Sequence, residues 1–236
     1  MVTGEKRRDG TGHGSGLVAY HSSGMRALVT GGGGFLGAAI VRALKARGDE
    51  VTALGRGRYP ELEAAGVPVV RADVANSTHL ARAFEGQDVV FHVAAKAGVW
   101  GPFDSYYQPN VVGTRNVIEA CRAARVPRLV YTSSPSVVFD GASHENGTSA
   151  LPYAEPPCHA YAATKAEGER LALAAHSAEL ATIALRPHLI YGPGDPHLIP
   201  RVIDRARKGR LALVGTGRNR VSLTYVDNAA AAHLQA

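Results

Sequence analysis

The stretch Arg26-Ala-Leu-Val-Thr-Gly-Gly-Gly-Gly-Phe-Leu-Gly37 decides the fold of this chain. A short apolar run at 27–29 leads directly into four glycines. Apolar residues at helical spacing follow at once, at Leu36, Ile40 and Leu44. The order strand, glycine turn, helix is typical of a loop that binds the pyrophosphate of a dinucleotide. A flexible glycine linker is the alternative, but a linker does not join a strand to an amphipathic helix.

The glycines of this stretch have distinct predicted roles. Gly31 allows the sharp turn, Gly34 lets the backbone approach a pyrophosphate, and Gly37 lets the helix pack close to the sheet. The N–H groups at the start of the helix then face the phosphates, helped by the helix dipole. The predicted phosphate-binding residues are therefore Gly31, Gly34, Phe35, Leu36 and Gly37.

Length and composition limit the class of protein. A chain of 236 residues is long enough for one sizeable α/β core, and no apolar run approaches membrane-spanning length. The two cysteines, Cys121 and Cys158, do not indicate a disulfide framework and favour a reducing, cytoplasmic compartment. Residues 1–24 are rich in Gly, Ser and Thr, and no hydrophobic segment follows their basic start. They are predicted to form a disordered extension rather than a secretory signal.

The chain is basic, with a net charge of +6 and a concentration of arginine and lysine at 201–210. No basic motif interleaved with aromatic residues accompanies this charge, so a nucleic-acid partner is not predicted. A solvated helix face is the simplest interpretation, and attraction of an anionic cofactor or substrate is the alternative.

The end of the second predicted strand, Glu50–Leu54, bears on cofactor choice. An acidic residue at this point binds the ribose 2′-hydroxyl of NAD, whereas arginine accommodates the 2′-phosphate of NADP. Here Arg56 and Arg58 follow the strand and no acid does. The sequence therefore favours NADP over NAD. In the alternative, the two arginines lie on a surface turn and have no role in cofactor choice.

Five or six strands alternate with helices along the chain, which predicts an α/β fold with a Rossmann-type doubly wound parallel sheet. The fourth strand, 88–93, ends in Ala94 and Ala95, whose small side chains let a flat cofactor lie close to the backbone. His92 lies inside this strand and is predicted to be a packed core histidine. A single long helix is predicted from Ser105 to Arg125.

The next strand ends in several serines, and the helix after it carries Tyr161 and Lys165 on one face. The lysine ammonium and the nicotinamide cation are expected to lower the pKa of Tyr161, which is ordinarily near 10. Tyr161 can then exchange a proton with a carbonyl oxygen while Ser134 stabilises its negative charge. The sequence does not separate Ser134 from Ser133 and Ser136.

Several motifs together carry a resemblance to a known superfamily. They are Thr30-Gly-Gly-Gly-Gly-Phe-Leu-Gly37, Thr132-Ser-Ser134, Tyr161-x-x-x-Lys165 and Leu185-Arg-Pro-x-x-x-Tyr-Gly-Pro-Gly194. From about Met25 onward the chain resembles the extended short-chain dehydrogenases/reductases. Residues 133–141 and 186–200 resemble the 3β-hydroxysteroid dehydrogenase-like branch. Within it they are similar to the bacterial 2-alkyl-3-ketoalkanoic acid reductases of olefin biosynthesis and to sterol-4α-carboxylate 3-dehydrogenases.

The resemblance assigns roles to residues at matching positions. It implies a catalytic set of Ser134, Tyr161 and Lys165, in which Lys165 also holds the nicotinamide ribose. It places Asn110 beside the active-site helix in support of that lysine. It further implies that Asp73 and Val74 contact the adenine and that Pro187 contacts the cofactor. No metal ion is expected.

The resemblance implies an NADPH-dependent ketoreductase acting on a β-keto acid with a large apolar body. A sterol-4α-carboxylate or 3β-hydroxysteroid dehydrogenase is an alternative. A nucleotide-sugar epimerase or dehydratase shares the same triad, but the missing acid after the second strand counts against it. A cofactor-binding protein without turnover is the third possibility, and the intact pair of Tyr161 and Lys165 argues against it.

The expected organisation is an NAD(P)-binding Rossmann domain at 25–190 and a partial substrate-binding region at 191–236. Relatives in this superfamily usually run further, so the substrate lobe is expected to be small and truncated. A homodimer is expected through the helices at 105–125 and 160–176, in analogy to the superfamily's four-helix interface. The expected small-molecule partner is an apolar keto acid or a sterol-like substrate. Membership of a multienzyme assembly is a further expectation.

Overall fold

The computed structural model describes residues 24–98, 100–196, 198–213 and 215–236. The predicted extension at 1–24 thus lies outside the described residues, apart from Gly24. The strands are β1 (Arg26–Thr30), β2 (Glu50–Gly55), β3 (Val69–Arg71), β4 (Val89–His92), β5 (Arg128–Thr132), β6 (Ala181–Leu185), β7 (Ile190–Tyr191) and β8 (Thr224–Tyr225). The α-helices are α1 (Phe35–Arg47), α2 (Pro60–Ala64), α3 (Ala81–Phe84), α4 (Phe103–Tyr107), α5 (Gly113–Ala123), α6 (Ala160–Ala174), α7 (Leu198–Arg207) and α8 (Val226–Gln235).

Six parallel strands form one sheet in the order β3-β2-β1-β4-β5-β6, which confirms the predicted doubly wound α/β fold. β1 pairs with both β2 and β4, so the strand order reverses at β1. Ligands of open α/β sheets bind at the carboxyl ends of the strands at such a switch point. β7 and β8 pair in a separate small parallel sheet.

Successive residues of each central strand face opposite sides of the sheet, and this produces two core layers. Val29 and Phe91 belong to a cluster with α1 and α8, whereas Leu28 and Val90 belong to a cluster with α3 and α5. The sheet is therefore covered by helices on both faces. Because its central strands are buried on both faces, their sequences are continuous apolar runs.

α8 packs against α1 inside the core of the nucleotide-binding fold. Val226, Ala229 and Ala230 are buried in the same cluster as Leu36 and Ile40. The domain boundary near residue 190 stays a prediction, but this last helix adds to the core of the first domain rather than to a separate lobe.

The long helix predicted from about Ser105 to Arg125 is present as a continuous helical segment with one irregular turn. The structure has α4, a π-helical turn at Gln108–Val112, and then α5. Pro109 has no N–H to donate to the preceding turn, so the regular ladder of hydrogen bonds is interrupted there. The interruption places the buried Asn110 at the irregular turn.

Candidate active site

The glycine loop follows β1 and is shaped by the packing of two of its glycines. Gly31 has a φ of +70°, and a Cβ on it would lie 2.9 Å from the backbone of Ala94. A Cβ on Gly37 would overlap the carbonyl oxygen of Gly31, so no other residue lets α1 approach the loop this closely. Both roles expected from the sequence correspond to this geometry.

Gly34 is less crowded than these two, although a Cβ on it would still make a contact tighter than an ordinary one. A Cβ there would meet only the carbonyl oxygen of Gly31, at 3.2 Å. Gly34 is also the N-cap of α1, and it provides no side-chain cap. The first turn, which includes Phe35 and Leu36, carries no acidic residue. An uncapped helix start free of negative charge fits the phosphates of a dinucleotide.

The end of β2 carries the two arginines predicted to select NADP. The side chain of Arg56 is 77% exposed and lies 3.7 Å from the carboxylate of Asp73, while Arg58 is also exposed. The ring of Tyr59 occupies the space between Gly33 of the loop and the glycines after β2, and its hydroxyl accepts a hydrogen bond from the Gly57 amide at 3.2 Å. Both guanidinium groups therefore remain at the surface beside the loop.

The other predicted cofactor contacts lie at or just beyond the carboxyl ends of neighbouring strands. Asp73 follows β3 and accepts a hydrogen bond from the Ala75 amide at 2.9 Å, and the adjacent Val74 is buried. Ala94 follows β4, donates its amide to the Thr30 hydroxyl at 3.2 Å and precedes the exposed Ala95. Pro187, which follows β6, is half-buried.

The structure distinguishes among the three candidate serines. Ser134 Oγ accepts hydrogen bonds from the amide of Ser136 at 3.2 Å and from its hydroxyl at 3.0 Å. With two donors directed at this oxygen, its own hydrogen is free to point toward Tyr161, whose pKa the Ser134 hydroxyl tends to lower. Ser133 is buried near Glu169, on another side of the strand end. The geometry favours Ser134 for the catalytic role and gives Ser136 the role of orienting it.

The protein's own residues do not produce the lowered tyrosine pKa expected from the sequence. Burial raises the pKa of Tyr161 above its ordinary value, and the hydrogen bond from Ser134 only opposes that rise. The ammonium of Lys165 is directed elsewhere: Nζ donates to the carbonyl oxygen of Thr132 at 2.5 Å and lies 4.2 Å from the ring centre of Tyr131. Tyr161 is therefore held as a neutral proton donor.

Lys165 is an almost fully buried cation, with 3% of the residue exposed. Burial lowers the pKa of Lys165 to about 7, and the negative charge of Glu169 opposes that shift. A lysine in this condition changes charge near neutral pH, which is characteristic of functional rather than surface lysines.

Glu169 continues the four-residue spacing of Tyr161 and Lys165 along α6 and is 1% exposed. Its carboxylate accepts from Arg186 through Nη2 at 2.5 Å and through Nε at 3.0 and 3.1 Å. It also accepts from the hydroxyl of Tyr153 at 2.9 Å. The neighbouring guanidinium and hydroxyl groups hold the pKa of Glu169 below its usual value despite burial. This ion pair ties the catalytic helix to the end of β6.

Asn110 lies against α6, the helix that the resemblance places it beside, and the hydrogen bonds described for its side chain do not reach Lys165 directly. Its side chain accepts from the Lys96 amide at 2.8 Å and donates to the Lys96 carbonyl and the Thr164 hydroxyl, both at 3.1 Å. Asn110 therefore joins the loop after β4 to α6, one residue before Lys165. Support for the lysine through this junction stays a prediction.

His92 is a core histidine, which confirms the prediction. Its Nδ1 lies 2.8 Å from the Thr30 hydroxyl and its Nε2 lies 3.1 Å from the Thr114 hydroxyl, which itself donates to the Asn110 carbonyl at 2.7 Å. Burial, reinforced by the charge of Lys165, lowers the pKa of His92 to about 3, so this ring is neutral.

Among the described residues, no group of three or more His, Cys, Asp or Glu side chains could hold a metal ion. A cavity of about 530 Å³ lies beside the loop at 139–157. Asp140, Tyr153 and Arg170 line it, whereas the three catalytic candidates do not. We therefore place no substrate in this cavity.

Residues 28–236 match the 3-beta hydroxysteroid dehydrogenase/isomerase family, which covers the glycine loop, the serine strand end and α6. The chain belongs to this family. Membership confirms the resemblance read from the motifs, and the family is NAD(P)-dependent. The same edge of the sheet therefore carries both the cofactor loop and the catalytic candidates of a known oxidoreductase family.

Curated relatives and solved structures agree with this placement. The chain is 55% identical to a 2-alkyl-3-oxoalkanoate reductase of Stenotrophomonas maltophilia, over 90% of this chain and 65% of that protein. It is 40% identical to a cattle sterol-4-alpha-carboxylate 3-dehydrogenase, over 89% of this chain and 60% of that protein. It thus spans less than two thirds of either relative.

Among solved structures, MoeE5 in complex with UDP-glucuronic acid and NAD is 35% identical. It matches 89% of this chain and 71% of its own, with a TM-score of 0.76. That structure contains the dinucleotide NAD, which agrees with the assignment of an NAD(P)-binding fold to this chain.

Sequence reasoning did not single out four residues that the structure places around the triad: Thr132, Tyr153, Glu169 and Arg186. Glu169 carries a usable signal, because it extends the spacing of Tyr161 and Lys165 by one more turn. The contact between Thr132 and Lys165 involves a backbone carbonyl, which every residue has, so no residue type marks it.

Proposed function

We propose that this chain carries the catalytic domain of an NADPH-dependent ketoreductase that acts on a β-keto acid with a large apolar body, a 2-alkyl-3-ketoalkanoic acid. The observation that carries the proposal is the placement of Tyr161 one helical turn before the buried Lys165 on α6, with Ser134, whose hydroxyl acts on the pKa of Tyr161, just after the end of β5. This set lies at the same sheet edge as the uncapped start of α1. The identity of 55% to a protein named for this activity supports the choice of substrate.

The residues divide the chemistry in a simple way. NADPH, when bound, supplies the hydride that reduces the ketone. Tyr161, kept neutral by burial, donates its proton to the ketone oxygen as negative charge develops there. Ser134 hydrogen-bonds the same oxygen, and Ser136 fixes the direction of that hydroxyl. Lys165 would hold the ribose of the nicotinamide nucleotide.

The choice of NADPH over NADH follows from Arg56 and Arg58, which lie at the end of β2 where an NAD-binding protein carries an acid. Because both are exposed, their guanidinium groups are accessible to a 2′-phosphate, and Arg56 would exchange its 3.7 Å contact with Asp73 for it. We expect NADPH to bind at least tenfold more tightly than NADH, a difference of about 1.4 kcal/mol. Arg56→Asp narrows or reverses this ratio, as measured by fluorescence titration, and equal affinities in the unmodified protein contradict the assignment.

The substrate proposal is tested by offering the protein four compounds in parallel and following both the cofactor and the product. A 2-alkyl-3-ketoalkanoic acid should give the highest kcat/KM, and a 3-ketosteroid should give a lower one. Oxidation of a 4α-carboxysterol with NADP as the faster reaction would favour the sterol dehydrogenase alternative, which the 40% identity supports. Turnover of a UDP-sugar without net change in cofactor would favour the epimerase alternative.

We also make proposals for the oligomeric state and the cellular location of the protein. We retain a homodimer as a proposal, although α5 does not present the apolar face on which it was based. Val117, Ile118 and Cys121 are buried in this chain's own core. Among the described residues, no helix is long and apolar enough to cross a membrane. A cytoplasmic location and membership of a multienzyme assembly also remain proposals.

A further inference from the structure

A partly buried contact joins α8 to the strand that leads to the proposed catalytic serine. The hydroxyl of Thr132, the last residue of β5, lies 2.9 Å from Nε2 of His233 on α8. His233 is 1% exposed, and 101 residues separate the two partners in the sequence. Nothing in the assigned chemistry uses either side chain.

The hydrogen bonds fix which group donates. Nδ1 of His233 lies 2.7 Å from the carbonyl oxygen of Ala229, which can only accept, so the proton is on Nδ1. Burial lowers the pKa of His233, so the ring is neutral and Nε2 has only a lone pair to offer. The hydroxyl of Thr132 therefore donates to Nε2, and its orientation is determined by α8.

The backbone of the same threonine contacts the catalytic helix. The carbonyl oxygen of Thr132 accepts the ammonium of Lys165 at 2.5 Å, and the next residue, Ser133, donates its amide to Leu185 at 2.6 Å. Ser134 follows immediately. A single anchored residue thus carries the acceptor for Lys165 and lies two positions before the proposed catalytic hydroxyl.

We propose that His233 is a positioning residue: it holds Thr132 so that the carbonyl of Thr132 keeps the Lys165 ammonium in place. The inference deepens the proposed ketoreductase function and rests on it for its catalytic meaning, whereas the contact itself can be tested without turnover. In the described hydrogen bonds, α8 makes no contact with the glycine loop or the triad. Through His233 it nevertheless affects the site, because it sets the position of the Lys165 ammonium.

Several other groups act on the same ammonium and define what His233 adds. On α6, Tyr161 lies one turn before Lys165 and Glu169 one turn after it, and the carboxylate raises the pKa of Lys165. From β5 the neutral ring of Tyr131 faces Nζ, and from β4 His92 remains uncharged. Glu169 is itself neutralised in part by Arg186. None of these groups replaces the carbonyl of Thr132 as a hydrogen-bond acceptor for Nζ.

The direction of the expected change in the pKa of Lys165 follows from the positive charge of its ammonium group. A hydrogen bond to a carbonyl favours the protonated form of Lys165, so misplacing that carbonyl removes support for the ammonium and lowers the pKa of this lysine. Thr132→Val keeps the shape of the side chain and removes only the hydroxyl. We expect it to lower the pKa of Lys165 by about one pH unit, a tenfold change in the protonation equilibrium.

The experiment is an NMR titration of the whole chain grown with lysine labelled at Cε. The chain has only five lysines (Lys6, Lys45, Lys96, Lys165 and Lys208), and Lys165→Met identifies the signal of interest. Thr132→Ser retains the hydroxyl and should titrate as the parent does. Thr182→Val is a matched control, because Thr182 is on β6 and its buried hydroxyl has no hydrogen-bond partner among the described residues.

His233→Leu should produce the same downward shift as Thr132→Val, and the double variant should add nothing to either single one, because both remove the same contact. An unchanged Lys165 titration in Thr132→Val, with or without lower thermal stability, overturns the proposal and leaves the contact purely structural. If His233→Leu does not fold, the threonine series still decides the question.

Activity measurements separate this inference from the proposed function. In an active parent, the alkaline limb of the kcat/KM profile should move to lower pH in Thr132→Val and stay in place in Thr132→Ser. A parent that reduces none of the offered ketones contradicts the proposed function alone, and the NMR titration still tests the positioning role.

Discussion

Replacing Glu169 by glutamine tests the buried ion pair that fixes the catalytic helix to the end of β6. Glu169 is 1% exposed and accepts three hydrogen bonds from Arg186 and one from Tyr153. Glutamine has the same shape but no charge, and its amide nitrogen cannot accept. The variant therefore leaves the Arg186 guanidinium without its counter-charge in a site from which water is largely excluded.

The magnitude follows from how buried each partner is. Removing one partner of a buried ion pair typically costs 3–5 kcal/mol, because an uncompensated charge remains. The side chain of Arg186 keeps 19% of its surface exposed and is partly rehydrated, which places the expected loss near the lower limit, about 3 kcal/mol. For a chain of this length such a loss lowers Tm by roughly 6–12 °C.

Urea unfolding at pH 7, followed by circular dichroism, measures the loss directly. Glu155→Gln serves as the matched control, because Glu155 faces Arg170 at 3.6 Å while 82% of its side chain is exposed. An exposed pair of this kind contributes about 0–1 kcal/mol. The two variants thus differ in the burial of the ion pair that is broken, while each removes a glutamate charge opposite an arginine.

The difference between the parent and Glu169→Gln should also depend on pH. The folded-state pKa of Glu169 is lowered, so its stabilisation is fully present above the unfolded-state pKa of about 4.3 and is lost as pH falls through the folded value. The two proteins should differ by the full amount at pH 7 and converge only in strongly acidic solution. A loss at pH 7 no greater than that of Glu155→Gln would refute the reasoning, as would a difference that grows on acidification.

Further outcomes are expected at the site itself. Tyr161→Phe should lower turnover by roughly 10² to 10⁴ while the NADPH affinity measured by fluorescence stays the same, and unchanged turnover contradicts its role as proton donor. Ser134→Ala should reduce kcat more than Ser136→Ala, which only loosens the orientation of Ser134; the reverse order contradicts the assignment. Gly34→Ala should weaken NADPH binding and lower Tm less than Gly37→Ala does in a thermal scan, because its Cβ would come within 3.2 Å of the Gly31 carbonyl oxygen whereas that of Gly37 would overlap the same oxygen. Equal effects of the two glycine variants on Tm and on affinity contradict the phosphate-binding assignment.

Local features of the sequence were sufficient for the fold and for the cofactor loop. Four glycines between a strand and a helix determine a loop whose geometry depends on residues within about ten positions, and Gly31 and Gly37 fulfil the roles expected of them. The one-face placement of Tyr161 and Lys165 follows in the same way from the helical repeat. The long helix predicted at about 105–125 is present, but the sequence pattern did not show its π-helical turn, where Pro109 lacks an N–H.

Only the tertiary structure decided which groups meet around the catalytic lysine. Ser134 was separated from its neighbouring serines by the directions of their hydrogen bonds, and the contact of Thr132 with His233 joins positions 101 residues apart. In the protein alone the pKa of Tyr161 is raised, because burial depends on which elements cover the side chain, and the lowering expected with the nicotinamide cation stays a prediction. Periodicity records which residues share a face of one helix or strand. The distance, burial and charge between separate elements depend on how those elements pack, and this is why they could not be read from the sequence.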